Sequence, residues 1–231
     1  MGGRAAWEAH ERAVVACRRC PRLVAWREQA AREKRRAYRE WDYWGRPVPG
    51  FGDHAARVLA VGLAPGAHGS NRTGRMFTGD ASGDFLYPAL HRAGFATQPG
   101  STSREDGLAL TDLFITALCR CVPPANKPTP REIANCRPFL ATELGLSPRV
   151  RVIVALGRLA FEEVWRIYPH KGNALKRFAF AHGAHARIGE GLPWLIASYH
   201  PSRQNTNTGR LTARMFDHIW TLARKLAEAD A

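Results

Sequence analysis

The sequence is poor in acidic residues and poorer still in lysine. It has 20 Asp and Glu against 34 Lys and Arg, which leaves a formal net charge of +14 on 231 residues. Only 5 of the basic residues are lysine, and the other 29 are arginine. This excess of positive charge favours a polyanionic partner such as nucleic acid, because each phosphate that is neutralised releases a counterion. The alternative is a basic surface with no dedicated partner.

Long apolar runs are also missing. The longest are short, such as residues 152–156 (Val-Ile-Val-Ala-Leu), whereas a membrane-spanning helix needs about 20 apolar residues. The first residues contain no apolar stretch of signal-peptide length, so we expect a cytoplasmic protein without a membrane partner. In that reducing compartment, disulfide bonds between the five cysteines are not expected.

Repeats, low-complexity tracts and the common phosphate-binding signatures are absent as well. The sequence has neither Gly-x-Gly-x-x-Gly nor a Walker Gly-Lys-Ser/Thr loop, which excludes the usual dinucleotide-binding and P-loop classes. Apolar residues make up 45% and charged residues 23%, a composition that is typical of a globular protein and not of a disordered one.

Short apolar runs predict an α/β fold. Four of them lack clean alternation, as strands buried on both faces do, and they cover residues 58–63, 113–118, 150–156 and 194–199. Helical patterns lie between and after them, at 82–94, 130–144, 158–168 and 209–228. Strands that alternate with helices form parallel sheets. We therefore predict a three-layer α/β/α sandwich around a central four-stranded, mainly parallel sheet, in one domain spanning residues 1–231.

The first 50 residues are predicted to be a helical segment ahead of this sheet. Residues 1–16 and the very basic stretch 22–41 both have helical patterns, and residues 45–52 form a loop rich in Pro and Gly. The stretch 22–41 either presents a solvated face or contacts phosphate. Residues 171–192 have no clear pattern.

The cysteines form two groups that suit a metal centre. Cys17 and Cys20 form a Cys-x2-Cys pair, and Cys121 and Cys136 follow after a gap of 100 residues, with 14 residues between them. Zinc and an iron–sulfur cluster both accept four thiolates. Cys119 would face the same side as Cys121 in an extended segment, so spacing alone leaves open which of the two is a ligand. The alternative is five unrelated buried thiols.

Three unusual loops follow three of the predicted strands. They cover residues 62–70, 119–126 and 200–207, and the carboxyl ends of parallel strands lie at one edge of a sheet. Glycines in the first loop let the backbone approach a ligand closely, and its amides can bind an anion or a base edge. The third loop has short polar side chains and one arginine, which suit a phosphate. We expect the loops to form a cleft.

Three side chains near this cleft have both a functional and a structural interpretation. Phe77 lies in a Gly-bounded loop, where it can stack on a planar base or pack in the core. Asp80 precedes a predicted helix, where it can position water or cap the helix. His200 ends a strand before Pro201, where its ring can donate a hydrogen bond to a developing oxyanion or have a purely structural role.

Taken together, these stretches resemble the uracil-DNA glycosylase superfamily, and most closely its family 5, the B type. Residues 62–80 (Gly-Leu-Ala-Pro-Gly-Ala-His-Gly-Ser-Asn-Arg-Thr-Gly-Arg-Met-Phe-Thr-Gly-Asp) carry the resemblance, with 200–209, 121–130 and the cysteine spacing. The likeness covers most of the chain and is weakest in 171–192 and at both ends. It implies a hydrolase of base excision repair that cuts the N-glycosidic bond of uracil in DNA after the base has been flipped.

The resemblance also implies roles for individual residues. It places a structural 4Fe–4S cluster on Cys17, Cys20, Cys121 and Cys136, so that the helical segment 1–50 carries two of the ligands and Cys119 stays free. It implies that Phe77 stacks on the flipped base, that His200 faces the base carbonyl and that the following loop enters the duplex. We accordingly expect catalytic roles for Asp80 and His200. The other expected base contacts are Gly62, Ala64, Pro65, Gly66, Ala67 and Asn126, and the expected DNA contacts are Ser70, Arg72, Ser202, Arg203, Gln204 and Asn205.

Two positions depart from the patterns of related families. Ala67 stands where other families carry a water-activating polar residue, an absence that the B type shares, which leaves Asp80 as the nearest acidic candidate. Ala117 stands where family 4 has an Asn that reads uracil. A site without that amide rejects analogues less well, so we expect activity on other deaminated or damaged bases besides uracil.

We therefore predict a monofunctional DNA glycosylase, since no lysine is placed for a Schiff base, acting as a monomer on DNA that contains uracil or other deaminated bases. The alternative is a non-catalytic iron–sulfur module that binds nucleic acid. A zinc-dependent hydrolase is a weaker alternative, because four thiolates leave a metal no open position for chemistry.

Overall fold

A computed structural model describes residues 2–168 and 178–229 of the chain. No helix in these two stretches is both long and apolar enough to cross a membrane.

A six-stranded sheet forms the centre of the molecule. Its strands are β1 (Phe51–Gly52), β2 (Val58–Gly62), β3 (Leu113–Ala117), β4 (Val152–Leu156), β5 (His185–Arg187) and β6 (Trp194–Ser198). They lie in the order β1-β3-β2-β4-β6-β5. The four inner strands pair in parallel, and the two edge strands pair antiparallel to their neighbours.

The α/β class is thus confirmed, and the predicted strands are the four inner ones. The prediction of four strands was wrong in number, because two short edge strands were missed. β1 is two residues long and lies in the Gly- and Pro-rich loop, while β5 reads His-Ala-Arg and lies within residues 171–192, which gave no interpretation. Edge strands this short carry no apolar alternation for a sequence pattern to detect.

Eight α-helices surround the sheet in the described part of the chain. They are α1 (Gly2–Val15), α2 (Pro21–Glu33), α3 (Ser70–Thr73), α4 (Ala81–Arg92), α5 (Pro130–Leu146), α6 (Arg158–Ile167), α7 (Arg203–Asn207) and α8 (Ala213–Ala229). The basic stretch predicted as one helix over 22–41 ends instead at Glu33, where Lys34 takes a left-handed conformation with φ of 50°. The final helix begins at Ala213 and not near residue 209.

The helices cover both faces of the sheet, as a three-layer sandwich requires. Along β2, Val58 and Ala60 face a core that contains residues of α4 and α8, while Leu59 and Val61 face a second core with residues of α1, α5 and α6. All five residues of β2 are buried, which explains why the strand is uniformly apolar. Each large apolar side chain buried in this way contributes about 1.5–3 kcal/mol. The two cores fix the sheet, and the sheet positions the loops at its carboxyl edge.

Candidate active site

The loop between β2 and α4 is the most tightly built part of the carboxyl edge. Every residue from Ser70 to Thr78 is buried, although the segment contains only one short helix, α3. Arg75 donates from both terminal nitrogens to Asp106, at 2.8 and 2.7 Å, and the Tyr87 hydroxyl donates to the Met76 carbonyl at 2.7 Å. The loop is therefore fixed in place before any ligand arrives, which lowers the entropy cost of binding.

Phe77 lies at the centre of this loop, and its ring packs directly on Gly62 at the end of β2. A Cβ on Gly62 would lie only 2.8 Å from Cζ of the ring. The Phe77 backbone has φ of 53°, an uncommon left-handed conformation for a bulky residue. Its carbonyl fits against Gly83, where a Cβ would lie 1.8 Å from the oxygen. Such a strained, over-determined aromatic is typical of a functional site.

The two oxygens of the Asp80 carboxylate have different surroundings, one at the start of α4 and one in the glycine loop. One carboxylate oxygen, Oδ1, accepts hydrogen bonds from the amides of Ser82 and Gly83 and caps α4. The other oxygen, Oδ2, lies against Gly66 and Gly69, because a Cβ on either residue would lie 2.9 or 2.0 Å from it. Burial raises the pKa of Asp80 above its ordinary value. The cap therefore uses one oxygen and leaves the other in the glycine loop.

Backbone amides of the glycine loop are available to a ligand. The amides of Ala64, Gly66 and Ala67 donate no hydrogen bond to another residue that the structure describes. The Gly66 carbonyl, by contrast, accepts from the Asn71 amide at 3.0 Å and so fixes the turn. A row of unused amides in a fixed turn suits an anion or a carbonyl oxygen.

His200 faces Phe77 from the end of β6. The two ring centroids are 6.0 Å apart with planes inclined at 32°, so the histidine borders the space next to the phenylalanine ring. Burial lowers the pKa of His200 to about 4, and the ring is therefore neutral at pH 7. A neutral imidazole can donate one hydrogen bond to an oxygen without carrying a charge into the site.

The backbone around His200 is held from both sides. The Asn205 side chain donates to the His200 carbonyl at 2.9 Å, and Ser202 caps α7 by accepting from the Asn205 amide. On the other side, the Tyr199 amide donates to Nδ1 of His182, whose Nε2 lies 3.2 Å from the Met215 carbonyl. The bond at Nδ1 fixes the proton of His182 on Nε2. No sequence pattern singled out His182, since its partners come from distant segments.

Four thiols come together at the other end of the carboxyl edge. Arg27 donates to Sγ of Cys121 at 3.0 Å, the Asn135 side chain to Cys20 at 3.4 Å and the Arg120 amide to Cys136 at 3.4 Å. Arg27 also donates to the Cys17 carbonyl at 3.2 Å, and Asn135 is the chain neighbour of Cys136, so these contacts place the four cysteines in one neighbourhood. The fifth thiol, Cys119, is fully buried and lies close enough to Cys136 to lower the pKa of that thiol.

The chain is similar in sequence to one family of known proteins. Residues 49–224 match the family model described as "Uracil DNA glycosylase superfamily". The chain is 55% identical over 220 residues to the type-5 uracil-DNA glycosylase of Thermus thermophilus, covering 95% of this chain and 98% of that one. It is 52% identical over 215 residues to the type-5 enzyme of Mycobacterium tuberculosis (93% and 79%), and 31% identical over 156 residues to the type-4 enzyme of Archaeoglobus fulgidus (67% and 70%).

The chain belongs to family 5 of the uracil-DNA glycosylase superfamily. The resemblance stated from residues 62–80 and 200–209 is confirmed. The fold brings two of the stretches that carried it together, since the ring centroids of Phe77 and His200 are 6.0 Å apart.

Two of the family 5 residues expected to contact DNA have a different place in the structure. Ser70 and Arg72 are 2% and 3% exposed, so their side chains offer little surface to a phosphate. Arg72 instead donates to the carbonyls of His68 and Gly79, at 2.7 and 2.9 Å, and so ties the two ends of the loop together ahead of Asp80. Short polar residues in a Gly-rich loop gave no sign of this burial.

The remaining expected residues are spread along the edge. Ala117 is paired with Gly62 across β2 and β3 and is buried next to the Phe77 pocket. Asn126 is exposed, in a short 3-10 turn with left-handed backbone at Ala125 and Asn126. Arg203 and Gln204 are exposed on α7, which follows His200 in the chain.

Proposed function

We propose that this protein is a monofunctional DNA glycosylase that removes uracil, and other deaminated bases, from DNA. The observation that carries the proposal is the juxtaposition of Phe77, which packs on Gly62, with His200 at a centroid distance of 6.0 Å. A planar ring, a neutral histidine and a row of unused amides together match a flat base with exocyclic oxygens. The named relatives are uracil-DNA glycosylases, and their activity supports the same reaction here.

The chemistry that we propose separates two charges. When the N-glycosidic bond breaks, positive charge develops on the sugar and negative charge on the leaving base. Amides at Ala64, Gly66 and Ala67, together with the neutral His200 ring, would donate hydrogen bonds to the base oxygens as that charge grows. The donors are fixed by the turn and by the bonds around residue 200, so they do not reorganise during the reaction.

Asp80 is proposed to act at the sugar side. Its Oδ2 lies next to Gly66 and Gly69, where it would orient a water molecule or offset the positive charge. Because burial raises the pKa of Asp80, the carboxylate is a better proton acceptor than an exposed aspartate. Ala67 offers no polar group for this task, so Asp80 is the acidic residue that the loop provides.

The loop after β6 is proposed to hold the DNA while the base is out of the stack. Ser202 and Asn205 are engaged within the loop, and Arg203 and Gln204 point their exposed side chains outward. Flipping costs a few kcal/mol, and less for a mismatched deaminated base, which already favours the correct substrate.

The range of substrates is proposed to be broad. Ala117, beside Gly62, brings only a methyl group to the pocket wall, where an amide would discriminate between base edges. The Ala117 side chain has no hydrogen-bonding group that a different base could leave unpaired. Replacing uracil by another base therefore costs little binding free energy at this position. We expect hypoxanthine, xanthine and hydroxymethyluracil to be released as well as uracil.

The four clustered thiols fit a 4Fe–4S cluster, which we propose as the cofactor. Cys17, Cys20, Cys121 and Cys136 supply four sulfur donors, and three of them already accept a hydrogen bond, as thiolates bound to iron do. Among the described residues no three His, Cys, Asp or Glu side chains converge as ligands of a single ion. The cluster would supply no step of base release and would tie α1, α2, β3 and α5 together.

The competing function is a nucleic-acid-binding module without catalysis, which Ala67 favours because it removes the usual polar residue. One experiment separates the two: base release from labelled oligonucleotides that contain uracil, hypoxanthine, xanthine or hydroxymethyluracil, in single- and double-stranded form, with alkali to cut abasic sites. A glycosylase releases uracil, and release of several bases supports the broad range. Protein that binds the DNA and releases nothing would refute the proposal. A covalent adduct trapped by borohydride would refute monofunctional hydrolysis.

We also propose that the enzyme works as a monomer in the cytoplasm. The roles proposed for Phe77, Asp80 and His200 assign no task to a second copy. Sedimentation of the purified protein at several concentrations tests the first point.

A further inference from the structure

A second element lies beside the glycine loop: residues 34–44, here called the strap. Tyr38 and Trp41 of the strap enclose the guanidinium of Arg72, with ring centroids 3.9 and 4.1 Å from its Cζ. The Tyr43 hydroxyl lies 3.1 Å from Nδ1 of His68, and the Trp44 amide donates to the Arg72 carbonyl at 2.9 Å. The strap is therefore fixed to the loop that forms the base pocket.

Trp41 presents a large aromatic surface to solvent. It is 36% exposed, and in the described part of the chain only one other large apolar side chain, Leu159, is as open. Arg72 covers one face of the ring, and Arg72 itself is held by two carbonyls. The exposed part of the indole is thus a rigid platform, and stacking on it costs little conformational entropy.

Positive charge surrounds this platform. Arg35, Arg36 and Arg39 are exposed and have no ion pair with another residue that the structure describes. The strap has four basic residues against two acidic ones, Glu40 and Asp42. An exposed aromatic ring among arginines is the composition of a surface that stacks bases and binds the phosphates between them.

The strap and the loop after β6 lie on opposite sides of the base pocket. The order β3-β2-β4-β6 places the pocket loop between the ends of β3 and β6. Just beyond the strap, the Val48 amide donates to the Arg120 carbonyl, which fixes this part of the chain at the end of β3. The strap thus lies toward the β3 side of the pocket loop, and the loop that holds Arg203 follows β6 on the other side.

We propose that the strap binds unpaired nucleotides next to the base that enters the pocket, with one base stacked on Trp41 and adjacent phosphates on Arg35, Arg36 and Arg39. Paired bases hide their faces inside the duplex, so only an unstacked base can cover the indole. The strap therefore favours single-stranded DNA over duplex. The place of the strap beside the pocket rests on the proposed function, whereas its affinity for single strands does not.

The test uses undamaged oligonucleotides of one length, single-stranded and duplex, with binding followed by fluorescence anisotropy on the full chain. Trp41→Ala should weaken single-strand binding by about tenfold, the loss expected for one stacked base, and duplex binding much less. Trp41→Phe keeps a ring and should restore most of the affinity. Arg36→Ala with Arg39→Ala should reduce the slope of log K against log salt by about 1.4, since each phosphate contact to a single strand contributes about 0.7.

Matched controls separate local from general effects. Arg149→Ala with Lys225→Ala removes the same charge from two exposed positions away from the strap and should leave the preference for single strands unchanged. Thermal unfolding of each variant shows whether loss of the Arg72 contact has loosened the fold. Equal weakening on single strand and duplex in Trp41→Ala would overturn the proposal.

Three further outcomes have distinct meanings. Binding to vesicles of anionic lipid is measured with the same variants. If Trp41→Ala weakens vesicle binding and leaves single-strand affinity unchanged, the proposal is overturned in favour of a membrane surface. If the wild type releases no base but Trp41→Ala still weakens single-strand binding, the proposed function is refuted and the proposal for the strap stands. Base release that persists with unchanged single-strand binding in Trp41→Ala refutes the strap alone.

Discussion

The ring of Phe77 occupies the space beside Gly62 where any other residue would place its Cβ, 2.8 Å from Cζ. Phe77 adopts a left-handed backbone to reach this position, and its carbonyl is received by Gly83. Two glycines and one strained aromatic thus form a single unit that shapes the pocket. Gly62 is required because the Phe77 ring packs directly on its backbone, and not because its backbone needs a conformation that only glycine adopts.

Gly62→Ala should therefore lower activity by displacing Phe77 from its place in the pocket. We expect base release to fall by about 10²-fold, as small misplacements in active sites do, with a modest loss of stability. Single-turnover release of uracil measures the effect. Gly145→Ala is the matched control, because a Cβ there meets nothing within 4 Å, and it should leave the rate unchanged. A Gly62→Ala enzyme with the wild-type rate would show that the ring position is unimportant.

Asp80→Asn should slow base release while it stabilises the fold at neutral pH. The remaining side-chain oxygen keeps the cap of α4, so the structure survives, and loss of the carboxylate should cost about 10²–10⁴-fold in rate. Asp84→Asn, on the exposed side of the same helix, is the control. Unchanged activity in Asp80→Asn would reduce Asp80 to a helix cap.

The stability change of Asp80→Asn has a defined dependence on pH. Burial raises the pKa of Asp80 in the folded protein, so folding favours the protonated form. Its contribution to stability is fully present below the ordinary pKa of an aspartate and is lost as the pH rises through the raised folded value. The variant should therefore unfold at higher temperature than the wild type at neutral pH, and the gap should shrink as the solution is made acidic. A gap independent of pH would contradict this account.

His200→Ala should reduce base release by about 10²–10³-fold if the ring donates to the leaving base. His91→Ala, at an exposed position on α4, should not change the rate. Because burial lowers the pKa of His200 to about 4, the wild-type ring contributes stability that is present above the ordinary histidine range and lost as the pH falls toward 4. The wild type should lose stability relative to His200→Ala over that interval, which thermal unfolding at a series of pH values would show.

The sequence predicted the four inner strands because each is buried on both faces and so reads as an unbroken apolar run. Their places in the loops made Phe77, Asp80 and His200 candidates, and the resemblance gave them roles that stay predictions; the sheet brings their stretches to one edge. Short edge strands were missed since two or three residues hold no periodicity. The left-handed Lys34 that ends α2 could not be predicted, because the chain turns there to place Tyr38 and Trp41 on Arg72, a contact between distant segments.

Arg72 shows why a residue type does not give its role. An arginine in a basic, DNA-related sequence is expected to bind phosphate, yet here its charge is covered by two rings and two carbonyls. Burial of a cation is tolerated when aromatic faces and carbonyl oxygens replace its water. Only the fold supplies those partners, so composition alone overestimates the number of arginines that are free to contact DNA.

Two cysteines in contact provide the sharpest test of the proposed cofactor. Cys136 is a proposed cluster ligand on α5, whereas Cys119, fully buried beside it, is the thiol left over. Cys136→Ser should lose iron and acid-labile sulfide and unfold at lower temperature, because the cluster would join four segments of the chain. Cys119→Ser should keep a full complement of iron, since Cys119 is not among the proposed ligands. Protein purified without air is needed for both measurements. If Cys119→Ser loses iron and Cys136→Ser retains it, Cys119 is the ligand and Cys136 is the free thiol. If the wild type contains stoichiometric zinc and no sulfide, the cofactor is a single zinc ion and not a cluster.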